Sequence, residues 1–370
     1  MIRGFQGSLL GLALLCSGAT GADATPPATE KSVNIFFWYE YVPPTVIADF
    51  ERETGIKVIY DTFESTEMLT TKVMSGKTGY DVVMPTASAT GRLITAGALR
   101  KFDPAKVPNT KDLNPDILHF VATQDPGNAY AVPYVYGTTG IMYNPERIAA
   151  RMPDAPTNSL DMIFKPEIAS RFKDCGIAIA DSPEGIMSIA LRYLGFDPFT
   201  TDAREIKQAE ALLLAARPNI RHFKTGAIIN EMAAGDLCLA LGWSGDAFIA
   251  AARAEEANAG VQVRYAIPRE GTEIFFDVMT IPADAPHPEA AHAFVNFLLT
   301  PRVMAEVTNS YSYPNGNMAA TGLVNERIRT NPNIYPPKEM TAKLFAAAPR
   351  DPASLRLVTR AWTKFTSGGS

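Results

Sequence analysis

Val33-Asn34-Ile35-Phe36-Phe37-Trp38-Tyr39-Glu40-Tyr41 is the stretch on which the reading of this chain turns. Val33 to Phe37 is an apolar run of strand character. Behind it come three aromatics and one carboxylate, where a strand should give way to a loop. A carboxylate among aromatic faces suits an organic cation: the rings supply cation–π attraction and the acid supplies the counter-charge. Taken alone, the stretch reads as simply as a strand end packed on its own core, because aromatic-rich strand ends are common.

The next sixty residues give that strand end a place. Pro43-Pro44 suits a first helical turn. Val46, Ile47 and Phe50 then recur at helical spacing, and Gly55 stops the helix. Ile56 to Tyr60 is the next strand. Ser65 or Thr66 caps a helix carrying Met68, Leu69, Val73 and Met74, closed by Gly76. Asp81-Val82-Val83-Met84-Pro85 is a third strand, and Ser88 can cap a third helix ending at Gly97. Alternating strands and helices predict a parallel, helix-covered sheet. Ligands of such sheets bind at the carboxyl ends of the strands. Trp38-Tyr39-Glu40-Tyr41 and Pro85-Thr86-Ala87-Ser88 are two such ends.

Length and composition set the frame. The 370 residues, 46% hydrophobic and 20% charged, fit two globular domains better than one. A net charge of −5 with no long basic run disfavours nucleic acid as a partner. The N-terminus reads as a secretory leader: Arg3, then the apolar run Leu9 to Leu15, then Ala22-Asp23-Ala24 as a small-x-small cleavage site. The run is too short to span a bilayer, and no later run is long enough. Cys16 would leave with the leader. Cys175 and Cys238 remain, an even pair that in an oxidising compartment reads either as one disulfide or as two buried thiols.

The second half carries two more aromatic–acid clusters. Tyr134 to Gly140, after the turn cluster Asp125-Pro126-Gly127-Asn128, marks a change of lobe. Gly176 to Ala180 is a strand, and Ser182-Pro183-Glu184 starts a helix, where an acid also serves as dipole compensation. Leu237 to Leu241 runs into Gly242-Trp243-Ser244-Gly245-Asp246. There the glycines are expected to turn the backbone sharply, letting Trp243 and Asp246 face one space. In Ile274-Phe275-Phe276-Asp277-Val278, Phe275 and Asp277 share a face of a strand. An acid midway along an apolar strand is costly unless paired, either with a ligand or with a cation of the protein such as Arg269.

Together these clusters resemble the periplasmic polyamine-binding proteins, the substrate-binding subunits of ABC importers for putrescine and spermidine. The resemblance spans nearly the whole mature chain. It rests on Trp38-x-x-Tyr41, Phe50-Glu51-Arg52-Glu53-Thr54-Gly55-Ile56-Lys57-Val58, Tyr80-Asp81-Val82-Val83, Gly242-Trp243-Ser244-Gly245-Asp246, Phe275-Phe276-Asp277 and Ile334-Tyr335-Pro336-Pro337. It implies an α/β, two-lobed periplasmic-binding-protein fold of type II-like topology, each lobe a sheet flanked by helices with a hinge between. After a leader over 1–24, lobe I would take 25–134 plus 267–312, and lobe II 135–266 plus 313–370. It implies a Cys175–Cys238 disulfide, a monomer, a membrane permease complex as partner, and neither cofactor nor metal.

Ligand residues carry over one at a time. Trp38, Tyr41, Trp243, Phe275 and Tyr313 match an aromatic box around a methylene chain. Asp246 and Asp277 match acids that hold one ammonium, and Glu184 matches the acid at the other end. Thr86 stands where the family often has Ser, and Glu40 where it has Asp or Glu. Tyr39 departs from the family, which has Ser or Thr there. Ligand choice is therefore expected to be set at Tyr39-Glu40. Agmatine, cadaverine or a basic amino acid in the same fold, or a sensing role, are the alternatives. An enzyme on a small cationic substrate is the rival from another class. The four histidines show no metal spacing, and no phosphate loop or nucleophile elbow appears, which argues against it.

Overall fold

The computed structural model describes residues 31–348 and 350–368; the expected leader and its cleavage site lie outside them. The described strands are β1 (Ser32–Trp38), β2 (Lys57–Phe63), β3 (Val82–Val83), β4 (Leu99–Arg100), β5 (Val132–Tyr143), β6 (Ile177–Ile179), β7 (Leu239–Trp243), β8 (Arg264–Ala266), β9 (Glu273–Met279), β10 (Ile281–Pro282) and β11 (Phe345–Ala346). β1 lies between β2 and β3, parallel to both, with Ile35 opposite Tyr60 and Val82. Phe36, Phe37 and Trp38 are all buried, as a parallel strand covered on both faces requires.

The helix boundaries follow the local chemistry. Helix Pro44–Thr54 opens on proline and closes at Gly55, whose φ of 68° lies in the left-handed region glycine tolerates. Ser65 Oγ accepts from the Met68 amide at 3.1 Å and starts helix Thr66–Ser75. The third helix, Ala87–Thr95, begins before the expected Ser88 cap. Thr86 is the residue at its cap, held extended by a bridge to Asp277, so the chain turns helical immediately after it.

β5 belongs to both lobes. Up to Thr138 it pairs antiparallel with β9; from Thr139 it pairs with β7 and β8. The apolar cores divide accordingly. One gathers Val33, Phe50, Leu69, Val82, Tyr134, Met279 and Phe294. Another gathers Ile141, Phe164, Ile179, Ile189, Leu213, Leu241 and Phe365. The stretch after residue 312 is shared between them: Tyr313, Ala320 and Val324 lie in the first core, Val358 to Phe365 in the second. The chain is thus two-lobed, with β5 and β9 running between the lobes.

Cys175 and Cys238 form a disulfide, with 5.5 Å between their Cα atoms. Both are buried, just ahead of the adjacent strands β6 and β7. Closing a loop with a sequence separation of 63 restricts the unfolded chain by about 4 kcal/mol in the chain-entropy account. Among the described residues no helix is long and apolar enough to cross a membrane.

Candidate functional site

Side chains alternate across a strand, so Glu273, Phe275 and Asp277 leave one face of β9 while Ile274, Phe276 and Val278 pack on the other. The first face looks into a cavity between the lobes. Trp38 and Tyr41 come to it from the end of β1, Thr86 from the end of β3, and Trp243 from the end of β7. The ring centroids are close: Trp38 to Trp243 5.7 Å, Trp38 to Tyr41 6.4 Å, Trp243 to Phe275 6.4 Å and Tyr41 to Tyr313 5.2 Å. Aromatic walls from both lobes are therefore in place around one space.

Acids stand behind the rings. Asp277 is 2% exposed, and the Tyr41 hydroxyl donates to its Oδ2 at 2.9 Å. The Tyr313 hydroxyl donates to Asp246 Oδ1 at 3.0 Å. Enclosure pushes both carboxyls up to about 7, against the pull of their tyrosine hydrogen bonds. Arg269 does not neutralise Asp277; it is engaged with Asp161 and Glu270. Among the described residues Asp277 has no cationic partner. The buried indole N–H of Trp38 lies beside the Asp277 carboxyl without making a hydrogen bond of ordinary geometry.

The glycines of Gly242-Trp243-Ser244-Gly245-Asp246 work differently from the sequence expectation. Neither Gly242 nor Gly245 has a positive φ, so no sharp turn is made. They serve close approach instead. A Cβ on Gly245 would lie 2.1 Å from the Tyr313 ring, and one on Gly242 would lie 2.8 Å from Met142 Cε. Gly245 lets Tyr313 lie against the first turn of helix Ser244–Glu256 and reach Asp246.

Trp38, Tyr41, Thr86, Trp243, Phe275 and Asp277 line one chamber. Glu184 lines an adjoining one, and its Oε1 accepts from Arg92 Nη1 at 3.2 Å. Tyr313 packs behind Gly245. Tyr39 is 60% exposed and lines a third recess together with Trp38, Tyr41, Trp243 and Asp246; Asp246 lines neither of the other two chambers. Glu40 lines neither chamber. Its φ of 57° is left-handed, at a cost of about 1 kcal/mol, and its Oε1 accepts from Arg253 Nη2 on the other lobe. Arg253 also donates to Asn230 Oδ1 at 2.6 Å. The departure at Tyr39-Glu40 therefore lies outside the two chambers beside Asp277 and Glu184, while Tyr39 borders the same aromatic rings from the third recess.

Three further residues bear on the site: Glu273 in the cavity wall, and Arg92 and Arg253 in the pairs that cross between lobes. The period-2 rule that singles out Phe275 and Asp277 points equally to Glu273. Nothing local in sequence marks the two arginines. Among the described residues no group of three or more His, Cys, Asp or Glu is placed to hold a metal ion.

Residues 45–333 match the family described as bacterial extracellular solute-binding protein. The chain is 45% identical over 369 residues to the putrescine-binding periplasmic protein SpuD of Pseudomonas aeruginosa (strain UCBPP-PA14), covering 100% of each. It is 46% identical over 346 residues to the putrescine-binding periplasmic protein PotF of Escherichia coli (strain K12), covering 93% of this chain and 94% of that one. Its fold is similar to the crystal structure of the spermidine/putrescine ABC transporter substrate-binding protein PotD from Streptococcus pneumoniae. There the TM-score is 0.74 at 25% identity, covering 92% of this chain and 100% of that one. Matched over most of its length and similar end to end to such relatives, the chain belongs to the bacterial extracellular solute-binding protein family.

Proposed function

We propose that this protein captures a polyamine between its lobes in the periplasm and delivers it to the permease of an ABC importer. It is a binding subunit, not an enzyme. The observation that carries the reading is Asp277: an enclosed carboxylate, without a cation of its own, behind a box of aromatic rings. An alkyl diammonium supplies what is missing. Its charges meet the acids, its methylenes meet the rings, and closure buries pairs instead of lone charges. The similarity to putrescine-binding periplasmic proteins supports the same ligand class.

In this reading Trp38, Tyr41, Trp243, Phe275 and Tyr313 form the box. Asp246 and Asp277 hold one ammonium, Glu184 receives the other end, and Thr86 offers a hydroxyl. The lobes divide where β5 and β9 cross. Residues 1–24 form a leader removed on export, and the mature chain acts as a monomer. The test is a melting screen over diamines, triamines, agmatine, basic amino acids, sugars and organic anions. Amines should raise the midpoint by several degrees, since bound ligand stabilises by mass action. A shift only with sugars or anions would reject the assignment.

Glu40 and Arg253 act in this scheme as a clasp across the closed lobes. Their side chains are 19% and 28% exposed, so solvent screens the pair only in part. Glu40→Gln should raise the ligand dissociation rate roughly ten-fold, about 1–2 kcal/mol, with little change in the association rate. Stopped-flow tryptophan fluorescence separates the two rates, and an unaltered dissociation rate would remove the clasp from the account.

A further inference from the structure

The chamber that holds Asp277 and Phe275 adjoins a second chamber that reaches Glu184, Asp181 and Glu67. Glu273 lines both. It leaves β9 on the face shared with Asp277, four residues away, which is about 13 Å along a strand. Acids therefore stand in sequence along the cavity: Asp277, then Glu273, then the far group.

Like Glu67 in the far group, Glu273 holds a place in this series that no partner elsewhere among the described residues explains. Among the described residues its carboxylate takes part in no hydrogen bond and no ion pair. Asp277 and Asp246 have their tyrosines, Glu184 has Arg92, and Asp181 Oδ1 accepts from Trp362 Nε1 at 2.9 Å. Arg350 also borders the far chamber, but its guanidinium donates to Ser188 Oγ at 2.9 Å, to the Pro198 carbonyl at 2.5 Å and to the Thr200 carbonyl at 3.3 Å. Enclosure, followed by the charge of Glu184, pushes the Glu273 carboxyl up to about 7, and Arg350 pulls the other way.

The surroundings make room for this acid. A Cβ on Gly185 would come within 2.5 Å of Glu273 Oε2. β11 runs beside β9 with Phe345 opposite Glu273, and the next residues, Ala347 and Ala348, line the far chamber with methyl groups only. The space beyond Glu273 is kept open by small side chains.

We propose that Glu273 is a specificity-determining residue: its carboxylate receives an inner ammonium, so that the cavity takes a linear triamine in preference to a diamine. This rests on the polyamine reading and narrows it. Discrimination comes from both sides of the difference. A triamine that reaches from Asp277 to Glu184 carries a third charge through an aromatic-walled passage, and Glu273 is the acid beside it. A diamine confined to the first chamber leaves Glu273 enclosed and unpaired when the lobes close.

The test is calorimetric titration of the full mature protein with putrescine and with spermidine, for wild type, Glu273→Gln and Glu273→Met. Wild type should bind spermidine the more tightly. Each substitution should lower the spermidine-to-putrescine affinity ratio by about ten-fold or more. Two variants of different polarity guard against one that folds poorly. A wild type that prefers putrescine overturns the proposal, and so does a ratio that stays constant in both variants. Those results would leave the polyamine reading standing. A wild type that binds no amine would overturn both.

Discussion

Asp277→Ala should abolish tight polyamine binding while leaving the ligand-free protein as stable as before. The expected loss is about 3–5 kcal/mol, or roughly 150- to 5000-fold in Kd. Its size reflects what the substitution leaves behind. In the complex, an ammonium drawn out of water would face the Tyr41 hydroxyl and aromatic faces with no counter-charge at that end of the cavity. Cation–π attraction alone is worth about 0.5–2 kcal/mol and does not offset the desolvation of a full charge. The ligand-free stability should not fall, because Asp277 has no cation to lose and the groups that face its carboxyl, the Tyr41 hydroxyl and the Trp38 indole N–H, are neutral. Asp277→Asn separates charge from shape: it keeps an acceptor for Tyr41 and should lose nearly as much affinity as alanine. Calorimetric titration and thermal melting in parallel read both quantities. If Asp277→Asn bound putrescine and spermidine as wild type does, Asp277 would not be the ammonium's counter-charge. A lower melting point without ligand would mean that Asp277 holds the fold rather than the ligand.

Much of this arrangement was legible because it depends on short-range rules. Topology marks the end of β1 as a place where such sheets bind ligands, and Trp38 and Tyr41 do line the cavity there. Period-2 alternation puts Phe275 and Asp277 on one face, and the same rule reaches Glu273 once β9 is known to start there. The Ser65 cap and the Gly55 stop are likewise local chemistry. What was not legible depends on distances between remote segments. Glu40 meets Arg253 across 213 residues of sequence, and Glu184 meets Arg92 across 92. No periodicity announces such pairs. Gly245 shows the same limit: a glycine read as a turn is in fact a clearance for the ring of Tyr313, which is remote in sequence. Tyr39, marked by its departure from a pattern, is largely exposed and lies outside the chambers beside Asp277 and Glu184, yet borders Trp38, Tyr41, Trp243 and Asp246.

The two kinds of charge in the interlobe region have opposite effects on closure. Glu40–Arg253 and Arg92–Glu184 join across the gap and favour the closed form. Asp246, Asp277 and Glu273 are enclosed by closure without cationic partners, and oppose it while charged. An empty protein at neutral pH is thus held back by these acids, and a cationic ligand would remove that opposition. Differential affinity for the closed state is what converts binding into a conformational signal. A permease that reads closure would then distinguish loaded from empty protein without touching the ligand.

Polyamine affinity should fall steeply as pH drops through 7. Asp246, Asp277 and Glu273 each have their carboxyl pushed up to about 7 by enclosure in the ligand-free cavity. An ammonium beside a carboxylate favours the ionised form, so the same groups are lowered in the complex. Above about pH 8 the acids are therefore ionised before binding and affinity is full; below about 7 the empty cavity holds protons that binding must expel. The amines of a diamine such as putrescine, with the basicity of a lysine, stay charged throughout and contribute nothing to the slope. One such carboxyl costs about ten-fold in affinity between about pH 8 and pH 6, and two approach about a hundred-fold. Titrations in buffers of different ionisation enthalpy should detect proton release near pH 7, and Asp277→Asn should reduce it. Affinity that is flat from about pH 8 to 5.5 would mean that the acids of the empty protein remain hydrated in an open cleft, and that the closed, proton-holding cavity is not its resting form.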